Sequence, residues 1–214
     1  MTAVSEVASV DQEVIAPKLL IVEDDISLAS YLASSLRNSG YEVKLVGDRA
    51  AAKASFLVET PNLVLLDLGL PPAPSTMAEG LAVLDDCLAR SPLSKVIVLT
   101  GQDESIAALE AIRRGAFDFL VKPTSIPQIK TALRRAVLFL REETRMAEAG
   151  EARVQLTARF DEGPKEAAAA AEEQLLRRTL AETGYNIAEA ARRLGLAREH
   201  VYYYLNKYGI RRPG

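Results

Sequence analysis

Four short apolar runs, each ending in a polar residue, are the feature that most constrains the fold of this chain. They occupy residues 19–22, 63–66, 96–99 and 119–121. Leucine and β-branched residues dominate them, and amphipathic stretches of helical length separate them, which is typical of parallel strands buried on both faces. With a fifth run at residues 42–46, the pattern predicts an α/β fold with a doubly wound, five-stranded parallel sheet.

The polar residues that follow the runs are candidates for a shared site. Glu23 and Asp24 follow the first run, Asp67 the second, Thr100 the third and Lys122 the fourth. Because the carboxyl ends of parallel strands form the ligand crevice of such a sheet, we expect these five side chains to converge there.

The chemistry of this set points to phosphoryl transfer. Three carboxylates packed together repel one another unless a hard cation neutralises them, and a set of oxygen ligands with room for water suits Mg²⁺. Asp67 is the candidate nucleophile, because a carboxylate can form an acyl phosphate. Lys122 would supply a fixed positive charge and Thr100 a hydrogen bond to the transferred group.

These motifs resemble the receiver domain of bacterial two-component response regulators. The resemblance covers about residues 18–147 and implies a flavodoxin-like fold. It implies that Asp67 accepts a phosphoryl group from a sensor histidine kinase, and that Glu23, Asp24, Asp67 and the backbone carbonyl of Gly69 hold Mg²⁺. Lys122 and Thr100 would assist the transfer.

The same resemblance implies a conformational switch and a dimer. Thr100 and Phe119 match the switch pair, in which the hydroxyl turns toward the phosphoryl group and the ring turns inward. The Lys122–Pro123 peptide bond is cis in the family. Active members often form homodimers through the face made by residues 104–114, residues 117–121 and the last helix.

One departure from the family is a lengthened loop at residues 72–79, beside the predicted phosphorylation site. Two interpretations remain open. The insertion can adjust kinase docking or the lifetime of the phosphoryl group, or it is a neutral surface insertion of the kind that loops tolerate.

The C-terminal region predicts a helix-turn-helix. Asn186 can cap a helix over residues 187–194, Gly195 and Leu196 form a tight turn, and a further helix begins near Arg198. Residues 186–196 resemble the helix-turn-helix of the Fis family, which implies binding of double-stranded DNA, although Ala197 stands where that family often has serine or threonine. The candidate DNA-contacting residues are Arg192, Arg193, Arg198, His200, Tyr203, Tyr204, Lys207, Arg211 and Arg212.

Charge is distributed unevenly along the chain. The net charge is −3 overall, but it is −7 over residues 1–126 and +4 over residues 127–214. The acidic part holds the predicted metal pocket, and the basic part is where an anionic partner such as DNA would bind. No apolar stretch approaches the length of a membrane span, so we expect a cytoplasmic protein with no membrane contact.

We predict four segments. Residues 1–16 form a flexible N-terminal arm, 17–147 the receiver domain, 148–172 a linker and 173–214 the Fis-type domain. The last receiver helix continues through a charged stretch at residues 141–145, which predicts either a solvated linker helix or a coiled dimer contact. The lone cysteine, Cys87, shares a helical face with Leu84 and is expected to be a buried structural thiol.

Two other functions are alternatives to transcriptional control. The C-terminal domain can serve protein assembly, with DNA binding incidental. A phosphatase that uses Asp67 as its nucleophile is disfavoured. Phosphatases that resemble haloacid dehalogenases require a second acidic residue two positions after the nucleophile, and this sequence has Gly69 there. The chain also lacks the glycine-rich phosphate-binding loop of ATPases. We therefore expect no enzymatic role beyond slow loss of its own phosphoryl group.

Overall fold

The sheet has the predicted number of strands, and the strands run parallel to one another. The computed structural model describes residues 16–73, 76–101, 105–154 and 163–211. Its strands are β1 (Lys18–Val22), β2 (Glu42–Val46), β3 (Leu63–Asp67), β4 (Lys95–Thr100) and β5 (Asp118–Val121). They pair in parallel in the order β2-β1-β3-β4-β5. The prediction of a five-stranded parallel sheet is confirmed.

Eight helices accompany the strands in the described residues. They are α1 (Ile26–Arg37), α2 (Arg49–Val58), α3 (Ala78–Arg90), α4 (Ser105–Arg113), α5 (Ile126–Glu148), α6 (Gly163–Glu182), α7 (Ile187–Leu194) and α8 (Arg198–Lys207). α6 is continuous across residue 173, where the sequence placed the start of the C-terminal domain. No helix in these described stretches combines the length and apolarity that crossing a membrane requires.

Two apolar layers cover the two faces of the sheet. On one face Leu20, Val64 and Val98 pack against α2, α3 and α4, and on the other Leu19 and Leu65 pack against α1 and α5. Successive residues of one strand therefore point into opposite layers, as the pleat of a strand requires. This burial on both faces explains why the strands read as continuous apolar runs.

Short polar side chains fix where the first and fifth helices begin. Asp25 caps α1, since its Oδ1 accepts hydrogen bonds from the amides of Ser27 and Leu28 at 2.8 and 3.0 Å. Ser125 and Gln128 form a capping box at the start of α5. These caps satisfy amides that have no partner within the helix. The third acid of the Glu23-Asp24-Asp25 run therefore has a structural role.

The far end of α5 is not simply a solvated extension. Glu143, which lies within the charged stretch, is buried on the receiver. Beyond α5, the Arg178 guanidinium of α6 donates to the carbonyl of Arg153 at 2.9 Å. The end of α5, the chain that follows it and α6 are therefore packed together, an arrangement that neither sequence interpretation anticipated.

The C-terminal helices enclose a small core of their own. Leu176, Leu180, Ala190, Ala191, Val201 and Ile210 form it. Alanines on α7 let α8 approach closely, and Gly195 closes α7 with φ of +64°, a left-handed conformation that favours glycine. The predicted helix-turn-helix arrangement is present in α7 and α8.

Parts of several predictions lie outside the described residues. They are residues 1–15 of the predicted arm, Pro74 and Ser75 of the lengthened loop, residue 104 of the predicted dimer face, residues 155–162 of the predicted linker, and residues 212–214 of the predicted C-terminal domain, which include the DNA candidate Arg212.

Candidate phosphoryl-acceptor site and DNA-contact surface

Three carboxylates meet at the carboxyl edge of the sheet. Oxygen atoms of Glu23, Asp24 and Asp67 all lie within 4.8 Å of one another. Glu23 and Asp67 are only 4% and 8% exposed, whereas Asp24 is exposed to solvent. The order β1-β3 in the middle of the sheet brings together residues that are more than forty positions apart. The donor set is oxygen only and open on one side, which fits Mg²⁺ with water completing its shell.

Lys122 joins this cluster from the end of β5. Its Nζ donates to Asp67 Oδ2 at 2.8 Å and to Glu23 Oε2 at 3.1 Å. The Lys122–Pro123 peptide bond is cis, as the resemblance implies. A single ammonium thus lies between two largely buried carboxylates, where it offsets part of their mutual repulsion.

The pKa shifts reflect this crowding. Burial raises the pKa of Glu23, the nearby Asp67 carboxylate raises it further, and Lys122 opposes both effects. Burial works against the charge of Lys122, but its hydrogen bonds and attraction to Asp67 and Glu23 outweigh that cost, so its pKa is raised. A second positive charge would relieve the repulsion that remains between the acids.

The remaining predicted receiver residues are Gly69, Thr100 and Phe119. Gly69 donates its backbone N–H to Asp67 Oδ1 at 3.2 Å. Thr100 ends β4, the strand beside β3, and its side chain is buried, with Oγ1 donating to the Gly101 carbonyl at 3.4 Å. Phe119 lies on β5 opposite Val98, and the residue is 38% exposed. In this structure the ring therefore lies outward.

Gly80 is a structural determinant of the site that the sequence motifs do not identify. A Cβ added there would lie 2.4 Å from the Leu68 Cα. The start of α3 therefore touches the backbone directly after Asp67, and only glycine permits that approach. Its signal in the sequence is weak, because a glycine early in a helix has many possible reasons.

Three of the six described basic candidates of the helix-turn-helix already have partners on the same domain. Arg192 and Arg193 both donate to Glu189, Arg192 at 2.6 and 2.9 Å and Arg193 at 3.1 Å. Lys207 pairs with Glu172 of α6 at 2.7 Å. Arg198, His200 and Arg211 are exposed, and none of them forms an ion pair within the described chain.

The tyrosines of α8 divide differently from the prediction. Tyr203 is 61% exposed, as a DNA-contacting residue requires, and Tyr202 is 54% exposed. Tyr204 instead packs on the domain core, with its ring stacked on Tyr208 at a centroid separation of 6.2 Å. Tyr202 therefore offers more surface to a partner than Tyr204, the predicted DNA contact, does.

Comparison with known proteins identifies the class. Residues 19–134 match the response regulator receiver domain family, so the chain belongs to that family. Residues 167–208 match the helix-turn-helix family described as bacterial regulatory protein, Fis family. The protein is a two-component response regulator with a receiver domain followed by a Fis-type domain.

Individual relatives match a little over half of the chain. The nitrogen assimilation regulatory protein NtrX of Azorhizobium caulinodans is 32% identical over 132 residues, which cover 61% of this chain and 28% of the relative. The sensory transduction protein RegX3 of Mycolicibacterium smegmatis is 40% identical over 124 residues, covering 55% of this chain and 50% of the relative. The chain thus spans half or less of either relative.

A solved structure supports the same fold. The receiver domain of NtrX from Brucella abortus is 31% identical, with a TM-score of 0.52 over 56% of this chain and 98% of that domain.

Proposed function

We propose that this chain is a DNA-binding response regulator in which Asp67 receives a phosphoryl group from a sensor histidine kinase and the helix-turn-helix controls transcription. The observation that carries the proposal is the joint position of Lys122, Asp67 and Glu23, with Lys122 Nζ within 3.1 Å of both carboxylates. The proposed limits are 17–147 for the receiver, 148–172 for the linker and 173–214 for the DNA-binding domain.

The transfer needs positioning and charge compensation more than covalent chemistry. An Asp67 carboxylate oxygen forms a bond to phosphorus as the phosphorus–nitrogen bond to the kinase histidine breaks. Lys122, already held against Asp67, stabilises negative charge on the phosphoryl oxygens. Thr100, at the end of the neighbouring strand, donates a hydrogen bond from its hydroxyl to one of the phosphoryl oxygens.

Glu23, Asp24, Asp67 and the Gly69 carbonyl are the groups that would hold Mg²⁺. When bound, the ion neutralises the acids and the incoming phosphoryl oxygens. The fit rests on three carboxylates within 4.8 Å of one another, of which only Asp24 is exposed.

The output step in this proposal is dimerisation. The face made by α4, β5 and α5 carries exposed apolar side chains, with Ile106 82%, Leu109 56% and Leu138 61% exposed. Phe119 and Val121 extend the patch across β5. Such a patch is suited to burial against a second copy. Turning the Phe119 ring inward on phosphorylation would reshape this face and bring two helix-turn-helix units onto paired DNA half-sites.

The test measures oligomeric state and DNA affinity of the full chain with and without a phosphoryl mimic such as beryllofluoride and Mg²⁺. We expect a dimer and tighter binding in the native protein, and neither change in Asp67→Ala. DNA affinity should fall steeply with salt. A mimic that alters neither quantity would refute the proposed phosphorylation control. Absence of duplex binding at low salt would favour the assembly role for the C-terminal domain.

A further inference from the structure

Seven of the ten residues of α8 are exposed, and four of them form a stripe along the middle of the exposed side. Glu199, Tyr202, Tyr203 and Asn206 are all exposed, and their spacing of three and four residues places them on one side of the helix. Val201, on the opposite side, is fully buried in the domain core. α8 is the second helix of the helix-turn-helix, the one that enters the major groove in this architecture. The stripe is therefore the surface that would face the bases.

Glu199 is set apart within this domain by its lack of a cationic partner. Four other carboxylates lie between Glu172 and Arg211, and each one is ion-paired: Glu172 with Lys207, Glu173 with Arg177, Glu182 with Arg178 and Arg193, and Glu189 with Arg192 and Arg193. Within the described chain, Glu199 forms no such pair. A free carboxylate is thus presented in the first turn of the recognition helix.

A free carboxylate facing DNA carries an electrostatic cost. It is repelled by the phosphates of both strands and by the N7 and O6 acceptors of guanine. That cost is offset only where the DNA offers a hydrogen-bond donor in the major groove. The cytosine N4 amino group is such a donor, whereas the adenine N6 amino group lies beside the N7 acceptor, which repels a carboxylate.

We propose that Glu199 is a specificity-determining residue that accepts a hydrogen bond from the N4 amino group of a cytosine, fixing one base pair in each half-site. The inference rests on the proposed DNA-binding function and deepens it. Arg198, exposed beside Glu199, and the basic residues outside the stripe supply the attraction to phosphate. Because of Glu199, tight binding then requires a cytosine at one position of the DNA sequence.

The experiment selects bound duplexes from a random library with the full-length native protein, Glu199→Gln and Glu199→Ala. In the native motif we expect one cytosine per half-site that depends on Glu199. Glu199→Ala should lose the preference at that position alone and bind non-specific duplex more tightly. Glu199→Gln should change the preferred base to adenine, which a glutamine recognises through N6 and N7. The native preference over the mismatched base should be between about 5-fold and 150-fold.

Glu166→Gln is the matched control, since it removes one exposed carboxylate of α6 that makes no ion pair in the described chain. It should leave the motif unchanged. Thermal melting checks that the Glu199 variants remain folded, which the exposure of the side chain favours. If Glu199→Ala selects the native motif at every position, the assignment of Glu199 is wrong while the DNA-binding function stands. If the native protein selects no motif, both fail.

Discussion

Lys95 and Glu143 form a buried ion pair between the start of β4 and the far end of α5. The Lys95 Nζ lies 2.5 Å from Glu143 Oε2, and each side chain is 9% exposed. Burial lowers the pKa of Lys95, and the hydrogen bond to Glu143 opposes that shift. Arg153 also approaches Glu143, at 3.4 Å. The pair anchors the last turns of α5 to the receiver.

Breaking this pair should destabilise the fold strongly. Lys95→Met leaves Glu143 buried without its main partner and is expected to lower the free energy of unfolding by about 3–5 kcal/mol. The double variant Lys95→Met, Glu143→Met should recover most of that loss, because well-packed apolar groups can replace a buried pair. Urea denaturation of the native protein and these variants measures both effects. A double variant no more stable than Lys95→Met would contradict this account.

Gly80→Ala should destabilise the receiver next to the acceptor. The added Cβ would lie 2.4 Å from the Leu68 Cα, and moving backbone to relieve such overpacking costs about 1–3 kcal/mol or more. Gly47→Ala is the control, because its Cβ would meet its nearest atoms at 3.8 and 3.9 Å, ordinary contact distances. Thermal melting should separate the two variants. Equal melting temperatures would show that the loop after Asp67 can move to accommodate the added Cβ at little cost in stability.

Lys122→Met should impair phosphorylation of Asp67 more than folding. It removes a charged hydrogen bond at 2.8 Å from the acceptor, and an interaction of about 1.5–3 kcal/mol corresponds to a rate loss of roughly 10-fold to 150-fold. The rate of phosphorylation by acetyl phosphate in Mg²⁺ measures it. Lys53→Met, an exposed lysine of α2, is the control and should react like the native protein.

Acid should weaken the interactions of Glu172 on α6 with Lys207 and Tyr208 at the end of α8. Hydrogen bonds from Lys207 and Tyr208 lower the pKa of Glu172 to about 2. The pKa of Glu172 in the folded protein is below its ordinary value of 4.5. Ionised Glu172 therefore stabilises the folded protein fully above pH 4.5, and this stabilisation is lost as the pH falls toward 2. Glu172→Gln should therefore reduce the acid dependence of stability below pH 4.5, measured by circular dichroism melting.

Cys87 should be unreactive in the folded protein. The thiol is buried, and burial raises its pKa to about 12. Thiolate is the reactive form, so a disulfide reagent at pH 8 should label no thiol in native protein and one per chain after unfolding in urea. Rapid labelling without denaturant would show that α3 opens readily.

Much of the receiver could be predicted from the sequence because its information is local. The bounds of β2 were predicted without error, and the first apolar run, residues 19–22, falls within β1, since each run ends at a clear change of polarity. Glu23, Asp24, Asp67 and Lys122 could be grouped because parallel strands end at one edge. Burial of Cys87 followed from the helical face it shares with Leu84.

The contacts that join distant segments were decided only by the tertiary structure. Lys95 sits at the start of a strand and Glu143 in a charged helix, and neither pattern identifies the other as its partner. The same holds for Gly80 against Leu68, and for the pairing of Lys207 with Glu172. The periodicity of a sequence shows which face of a helix or strand is apolar. The partner of a charged side chain, in contrast, depends on which surfaces come within a few ångströms of each other when the helices and strands pack.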